Sequence, residues 1–350
     1  MKVAVNTHVL SRGMSGSSRS LGQVIAALRE DDELSVSALP GPRRSWTRAT
    51  RLATLIWWDL LGVHRAARAC DVVVSGCNVG LASPRHPNVL LMHDTMVLDH
   101  PEAFDPGYVA YARALFPISA RRSTIIVTPS AHSAARIAER FRLRKGPEVV
   151  PWPFVGTPAS PSTMEVVAKL ARPVVSVVGA TEPHKCQHVA VLAVRMMRQA
   201  TGLPIELCIV GRPGRGEAAL QALIDAFDRD RSWIRREESL TDEALVEQYR
   251  SSWLVMQPSL DEGFGLPVLE ACGHGVPVLH SGRGALSEVH AAGSVESVAP
   301  EAFAERAMHL LDQCEYERAC DDAIESARRH GWGQFASDWQ RIVRSAGSQR

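Results

Sequence analysis

The segment Pro258-Ser-Leu-Asp-Glu-Gly-Phe-Gly-Leu-Pro-Val-Leu-Glu-Ala-Cys-Gly-His-Gly-Val-Pro-Val278 holds the residues best suited to chemistry. Two carboxylates, Glu262 and Glu270, flank a glycine-rich turn. Gly263 and Gly265 let the backbone approach a ligand closely. Pro267 suits the first turn of a helix, where its missing N–H costs nothing. The remaining free N–H groups of that turn, with the helix dipole behind them, favour an anion. Glutamates on either side can accept hydrogen bonds from two sets of sugar hydroxyls, with the amides between them holding a diphosphate. The bland alternative is a capped helix whose glutamates suit the dipole. Residue types alone leave both open.

Three other segments lie where strands end. Val178-Gly-Ala-Thr-Glu-Pro-His-Lys-Cys186 offers His184 and a cation, Lys185. Leu91-Met-His-Asp-Thr95 puts His93 and Asp94 at the C-terminal end of a strand-like run, the end at which open α/β sheets bind ligands. Gly13-Met-Ser-Gly-Ser-Ser-Arg-Ser20, with Gly16 and Arg19, follows the first strand and precedes a helix. A lone lysine is more often solvated and a lone histidine more often structural, so position must decide.

The elements that must position these residues read as alternating β and α. Continuous apolar runs at 3–5, 71–75, 88–92 and 123–128 predict strands buried on both faces. Four prolines between Pro151 and Pro161 interrupt the pattern and predict an interdomain linker. Strands are then expected at 173–178, 205–210, 254–257 and 276–280. Helices are expected at 21–28, 133–141, 188–199, 218–227, 242–251, 267–272 and 332–345. Such alternation predicts an α/β fold with parallel sheets.

Together these motifs resemble the retaining glycosyltransferase family 4, and within it bacterial mannosyltransferases of surface polysaccharide assembly. The family's E-x7-E pattern, in the frame P-S-x-x-E-G-F-G-L-P-x-x-E, matches Glu262 and Glu270. The turn ending E-P-R-K-N matches Glu182 to Cys186, with His184 in place of arginine and Cys186 in place of asparagine. The H-D loop matches His93 and Asp94, and the G-x-G-R loop matches Gly16 and Arg19 with Ser18 replacing a glycine. The resemblance implies a GT-B fold: two Rossmann-like β/α/β domains facing a cleft. The N-terminal acceptor domain spans 1–155, the donor domain 160–330, and a C-terminal helix at 331–350 crosses back to the first domain. It implies donor binding by Gly16, Arg19, Asp94, His184, Lys185, Glu262, Gly263, Phe264, Gly265, Leu266 and Glu270, with His93, Lys185 and Glu262 catalytic. Glu262 would contact the donor sugar, Glu270 the ribose, and Lys185 the diphosphate; Asp94 would orient His93. The expected reaction moves a hexose, with retention, from a nucleoside-diphosphate sugar to a glycan, a lipid-linked or a small-molecule acceptor. GDP-mannose is the first candidate donor, with UDP- or dTDP-sugars as others. No cofactor and no metal are expected, because Lys185 and the helix N-terminus take the cation's role. A nucleotide-sugar epimerase and a non-catalytic sugar-nucleotide-binding protein are the alternatives. An NAD dehydrogenase is disfavoured, since the first strand lacks G-x-G-x-x-G before its helix.

Several other features read as structural. Asp228-Arg-Asp230 has the form of a metal-binding D-x-D but closes a charged helix end expected to be solvated. His184, Cys186 and His188 lack an evident fourth zinc ligand. Gly211 to Gly216 reads as a plain βα turn. Arg43, Arg44, Arg48 and Arg51 precede Trp57 and Trp58, so the 43–58 segment is the expected place for any peripheral membrane contact. A solvated helix packing its tryptophans inward is the preferred reading there. The formal net charge of +1 gives no global field for a nucleic-acid partner. Seven irregularly spaced cysteines read as reduced thiols. With no signal-peptide pattern and no long apolar run, the expected location is the cytoplasm, at most peripheral to the inner face of the membrane.

Overall fold

Strands that are apolar on both faces need cover on both sides, and this dictates the layout. The computed structural model describes residues 1–8, 16–41, 54, 57–58, 62–80 and 86–349. It divides into two compact units, Met1–Pro153 with Trp332 onward, and Phe154–Gly331. The first unit has six strands: β1 Lys2–Asn6, β2 Ser35–Leu39, β3 Val72–Ser75, β4 Asn88–Leu91, β5 Ile125–Thr128 and β6 Glu148–Val149. They form one parallel sheet in the order β2-β1-β3-β4-β5-β6. The second unit has β7 Val174–Val178, β8 Glu206–Val210, β9 Ile234–Glu237, β10 Leu254–Gln257 and β11 Val278–His280, ordered β11-β10-β7-β8-β9 and also parallel. Every residue of β3, β4, β5, β10 and β11 is buried.

The expected central strands are all present. The expected apolar runs omit β2, β6 and β9. These lie at sheet edges or next to them, and their sequences SVSAL, EV and IRRE are half-exposed, too short or charged. Edge strands tolerate polar residues because one side faces water. The C-terminal helix Trp332–Gly347 belongs to the first unit and packs on the helix Gly16–Arg29 and on β3 and β4, as the sequence implied. Trp339 is fully buried there. Trp332 donates its indole N–H to Glu30 at 2.7 Å. No helix among the described residues is long and apolar enough to cross a membrane.

Two sequence expectations resolve physically. Asp228 is buried, not solvated. One carboxylate oxygen accepts from Ser232 N–H and Oγ, both at 2.8 Å, and the other from Trp233 and Ile234 N–H at 3.0 and 2.7 Å. It shapes the turn that feeds β9, which leaves it no role as a metal ligand. Among the described residues no group of His, Cys, Asp or Glu is arranged to hold a metal. The basic residues of the 43–58 segment lie outside the described residues. Of its tryptophans, Trp58 turns inward, donating to Asn6 Oδ1 at 3.1 Å, while Trp57 is 46 % exposed.

The second unit also buries three histidines around one serine. His280 accepts from Gly282 N–H at Nδ1 (3.0 Å) and donates from Nε2 to the His290 carbonyl (2.5 Å). His290 Nδ1 lies 2.9 Å from Ser326 Oγ, and His330 Nδ1 lies 2.8 Å from the Ser326 carbonyl. Burial, above all, lowers the pKa of each, His290 to about 3. The unfolded chain takes up protons below about pH 6.5, while these folded sites refuse them, so stability is lost as pH falls. We expect the thermal midpoint to drop between pH 6.5 and 5, a window in which carboxylates titrate little. The loss from His290, whose folded value lies well below this window, should approach roughly 1 kcal/mol per pH unit, with His280 and His330 adding in the same direction. His290→Asn, which cannot be protonated, should flatten the profile. An equally steep profile in that variant would contradict the assignment.

Candidate active site

In the second unit, β7 and β10 are neighbours in the sheet although β8 and β9 lie between them in sequence. This reversal of strand order opens a gap between the loops that leave the two strands, the usual ligand position in such sheets. The loop after β7 ends in a 3-10 turn, Pro183–Lys185. The loop after β10 carries Glu262 and leads into the helix Leu266–Gly273. The Leu260 N–H donates to the His184 carbonyl at 2.8 Å, tying the loops together by backbone.

Their side chains tie them more tightly. Lys185 Nζ lies 2.5 Å from Glu262 Oε1. The same oxygen accepts from Gln257 Nε2 and Ser259 Oγ, both at 2.8 Å. Burial pushes the Glu262 carboxyl up, but the Lys185 charge and these three donors outweigh it and hold the group below its ordinary value. The carboxylate is therefore ionised at neutral pH. Behind it, the segment 281–285 wraps the Glu262 backbone, with Ala285 N–H donating to the Glu262 carbonyl at 2.9 Å. Gly284 is required there, since a Cβ would lie 2.4 Å from that carbonyl oxygen.

Gly265 precedes the helix with φ +103°, a left-handed conformation that a larger residue resists. In the first turn Pro267 has no N–H and the Val268 N–H donates to the Gly265 carbonyl at 3.0 Å, so the Leu266 N–H and the positive end of the helix dipole are what this turn can offer an anion. Leu266 opens the helix, Gly263 is half-buried, and Phe264 is buried edge-on to His330 at 5.7 Å. Glu270 faces out from the same helix, half-buried, and accepts from the Tyr249 hydroxyl at 2.9 Å. Tyr249 is itself buried and stacked on His274, ring centroids 6.1 Å apart. Sequence reasoning named neither Gln257, Ser259 nor Tyr249 as site residues. Ser259 lies inside the quoted motif and Gln257 immediately before it, whereas Tyr249 lies on the helix Asp242–Ser251 and left no spacing signal.

The first unit holds the other expected residues. Gly16 and Arg19 lie in the first turn of the helix Gly16–Arg29, with Arg19 half-buried; residues 13–15 of their loop lie outside the described residues. His93 and Asp94 follow β4. Asn78 Oδ1 accepts from the His93 N–H at 2.7 Å, and the Gly76 carbonyl accepts from its ring. Burial lowers its pKa to about 4, so the imidazole is neutral at pH 7. Its Nε2 is buried without a partner. Trp152 lies 5.8 Å from its ring. Asp94 accepts from the Met96 N–H at 2.9 Å, which starts the next helical turn.

With this geometry in view, similarity to known proteins is informative. Residues 163–330 match the family described as Glycosyl transferases group 1, so the second unit is a group 1 glycosyltransferase domain. The O-antigen chain mannosyltransferase B of Escherichia coli is 27 % identical over 226 residues, covering 63 % of this chain and 59 % of that protein. The match thus spans about three fifths of that relative. Among solved structures, sucrose-phosphate synthase from Thermosynechococcus elongatus superposes with a TM-score of 0.78 at 16 % identity, covering 100 % of both chains. Anabaena Alr3699/HepE in complex with UDP and glucose gives a TM-score of 0.72 at 16 % identity, covering 99 % of this chain and 100 % of that one. The fold is GT-B, as the motifs implied.

Cys186 explains one departure from the family turn. It has φ +49° and ψ +37° at the start of the helix Gln187–Thr201, with no side-chain cap. Asparagine tolerates that left-handed geometry, whereas cysteine is strained there. We expect Cys186→Asn to raise stability by about 0.5–1 kcal/mol, read as a higher urea midpoint. A lower midpoint would contradict the strain argument.

Proposed function

We propose that the chain is a retaining glycosyltransferase that takes a hexose from a nucleoside-diphosphate sugar. The observation that carries this reading is the convergence of Lys185, Glu262, the amides before Leu266 and Glu270 at the gap between β7 and β10. A diphosphate needs positive charge that does not itself react. Lys185 has three N–H donors, so it can hold Glu262 and a phosphate oxygen together. The Leu266 N–H and the positive end of the helix dipole supply the rest, which makes a metal ion dispensable. Glu262, kept ionised, accepts from sugar hydroxyls. Glu270, steadied by Tyr249, accepts from the ribose. His93, neutral with a bare Nε2, accepts from a hydroxyl of the reacting sugar.

Transfer breaks the bond from the anomeric carbon to the diphosphate and forms one to the acceptor oxygen. On this account the acceptor attacks from the face the diphosphate leaves, and the leaving oxygen takes the acceptor's proton. Lys185 and the amides stabilise the charge that develops on that oxygen. The Escherichia coli relative, named an O-antigen chain mannosyltransferase, favours GDP-mannose as donor and a glycan or lipid-linked acceptor. The structural neighbour's complex with UDP and glucose keeps a UDP-sugar open.

Calorimetry with UDP, GDP, dTDP and ADP, in the presence of a metal chelator, tests the reading. One nucleotide should bind, and Glu270→Ala should weaken it at least about tenfold, the loss of hydrogen bonds to a charged acceptor. No binding by a folded sample would contradict the assignment. Binding with no transfer to any acceptor would favour a binding protein, and epimerisation of the donor without acceptor would favour an epimerase.

A further inference from the structure

The glycine loop after β8, Gly211-Arg-Pro-Gly-Arg-Gly216, reads in the sequence as a plain βα turn. In the structure it is pressed against residues 179–182, which lead directly into the turn bearing Lys185. A Cβ at Gly211 would lie 2.0 Å from the Gly179 carbonyl oxygen. A Cβ at Gly214 would lie 2.7 Å from the Thr181 carbonyl oxygen and 2.7 Å from Glu182 Oε1. Reversing the chain does not require so close an approach; clamping one loop to another does.

Thr181 is the centre of this clamp and is 1 % exposed. Its N–H donates to the Arg212 carbonyl at 3.1 Å, and its carbonyl accepts from the Gly216 N–H at 2.7 Å. Its hydroxyl accepts from the Gly214 N–H at 2.7 Å and donates to Glu217 Oε2. Glu217 opens the helix Glu217–Phe227 and is gripped by Arg236 of β9, with Nε 3.2 Å from Oε1 and Nη2 2.9 Å from Oε2. Arg236 donates in turn to the Glu237 carbonyl at 2.7 Å, which ties the fork to its own strand. The Arg236 hydrogen bonds outweigh the effect of burial and, with Thr181, hold the Glu217 carboxyl below its ordinary value. Glu217 is therefore an ionised acceptor at neutral pH, which makes the Thr181 hydroxyl the donor.

A chain of contacts thus runs from β9 through Glu217 and Thr181 to the loop after β7. One residue, Glu182, separates Thr181 from the 3-10 turn Pro183–Lys185, and the Lys185 N–H donates to the Glu182 carbonyl at 2.9 Å. The backbone that carries Lys185 is closed on the residue next to the clamp. We propose that Thr181, held by the Glu217–Arg236 pair, is a positioning residue that fixes the backbone from which Lys185 reaches the donor diphosphate. Neither Thr181 nor Glu217 touches the nucleotide: the first is buried, and the second is engaged by Arg236 and Thr181. The ammonium of Lys185 must meet Glu262 and a phosphate oxygen at once, so a small shift of its backbone forfeits the phosphate contact. This inference rests on the reading of Lys185 as the diphosphate's cation.

Calorimetry on the full chain tests it, with whichever of UDP, GDP, dTDP and ADP binds most tightly and with the matching monophosphate. The parent should prefer the diphosphate. Thr181→Val keeps the branched shape and removes the hydroxyl. It should lower that preference at least about fivefold, the weight of one hydrogen bond, with the monophosphate affinity near the parent value. Thr181→Ser restores the hydroxyl and should keep most of the preference. If Thr181→Val does not fold, Glu217→Gln, which breaks the charge pair with Arg236, should lower the preference in the same direction. An unchanged preference in the folded variant, beside a preference lost in Lys185→Ala, would overturn the inference and leave the diphosphate reading standing. Equal losses for diphosphate and monophosphate, or a loss in Thr181→Ser as large as in Thr181→Val, would also overturn it. A preference unchanged in Lys185→Ala, or no nucleotide binding by the folded parent, would overturn both.

Discussion

A buried carboxylate cannot stay ionised without compensation, and Glu262 is both buried and ionised. Removing such a group from water costs several kcal/mol, so its partners are not optional. Lys185 supplies the charge, and Gln257 and Ser259 supply hydrogen bonds to the same oxygen. The consequence is architectural. Lys185 belongs to the loop after β7 and Glu262 to the loop after β10, so satisfying the carboxylate fixes the separation of the two loops. Everything else at this end of the sheet is set relative to that pair. Gly284 lets a third segment close behind Glu262, and Gly265 starts the helix Leu266–Gly273 directly after the Glu262 loop.

The sheet order explains why the gap exists. Because β10 returns to the other side of β7 after β8 and β9, the two loops leave in different directions and leave room between them. Glu270 then sits one helical turn beyond the amides, held by a buried tyrosine. The histidines His280, His290 and His330 underlie this region, and Phe264 meets His330 edge-on. Protonating that cluster would disturb the floor on which Phe264 rests. In the first unit His93 is fixed at its backbone N–H by the Asn78 side chain and at its ring by the Gly76 carbonyl, which leaves its Nε2 as the atom with unused capacity.

Much of this was legible in the sequence, and the reasons are local. The run from Pro258 to Val278 puts strand end, turn, helix start and both glutamates in one contiguous stretch, so linear spacing reports spatial arrangement. The central strands were legible because burial on both faces forces continuous apolar runs. Edge strands such as Ile234–Glu237 escaped, since half their environment is water. Asp228 was misread as solvated, because the backbone donors that surround it come from a turn whose shape no composition reveals. Tyr249 was invisible as a partner of Glu270, because the two meet through tertiary packing. Cys186 was visible as a departure from the family turn, but its left-handed backbone was not.

The central claim is that the Lys185–Glu262 pair organises a diphosphate site. Comparing the affinities of a nucleoside diphosphate and its monophosphate, in the parent chain and in Lys185→Ala, tests it most directly. The account predicts that the parent prefers the diphosphate. The variant, still folded, should lose most of that preference while keeping its affinity for the monophosphate. An unchanged preference in the folded variant would contradict it.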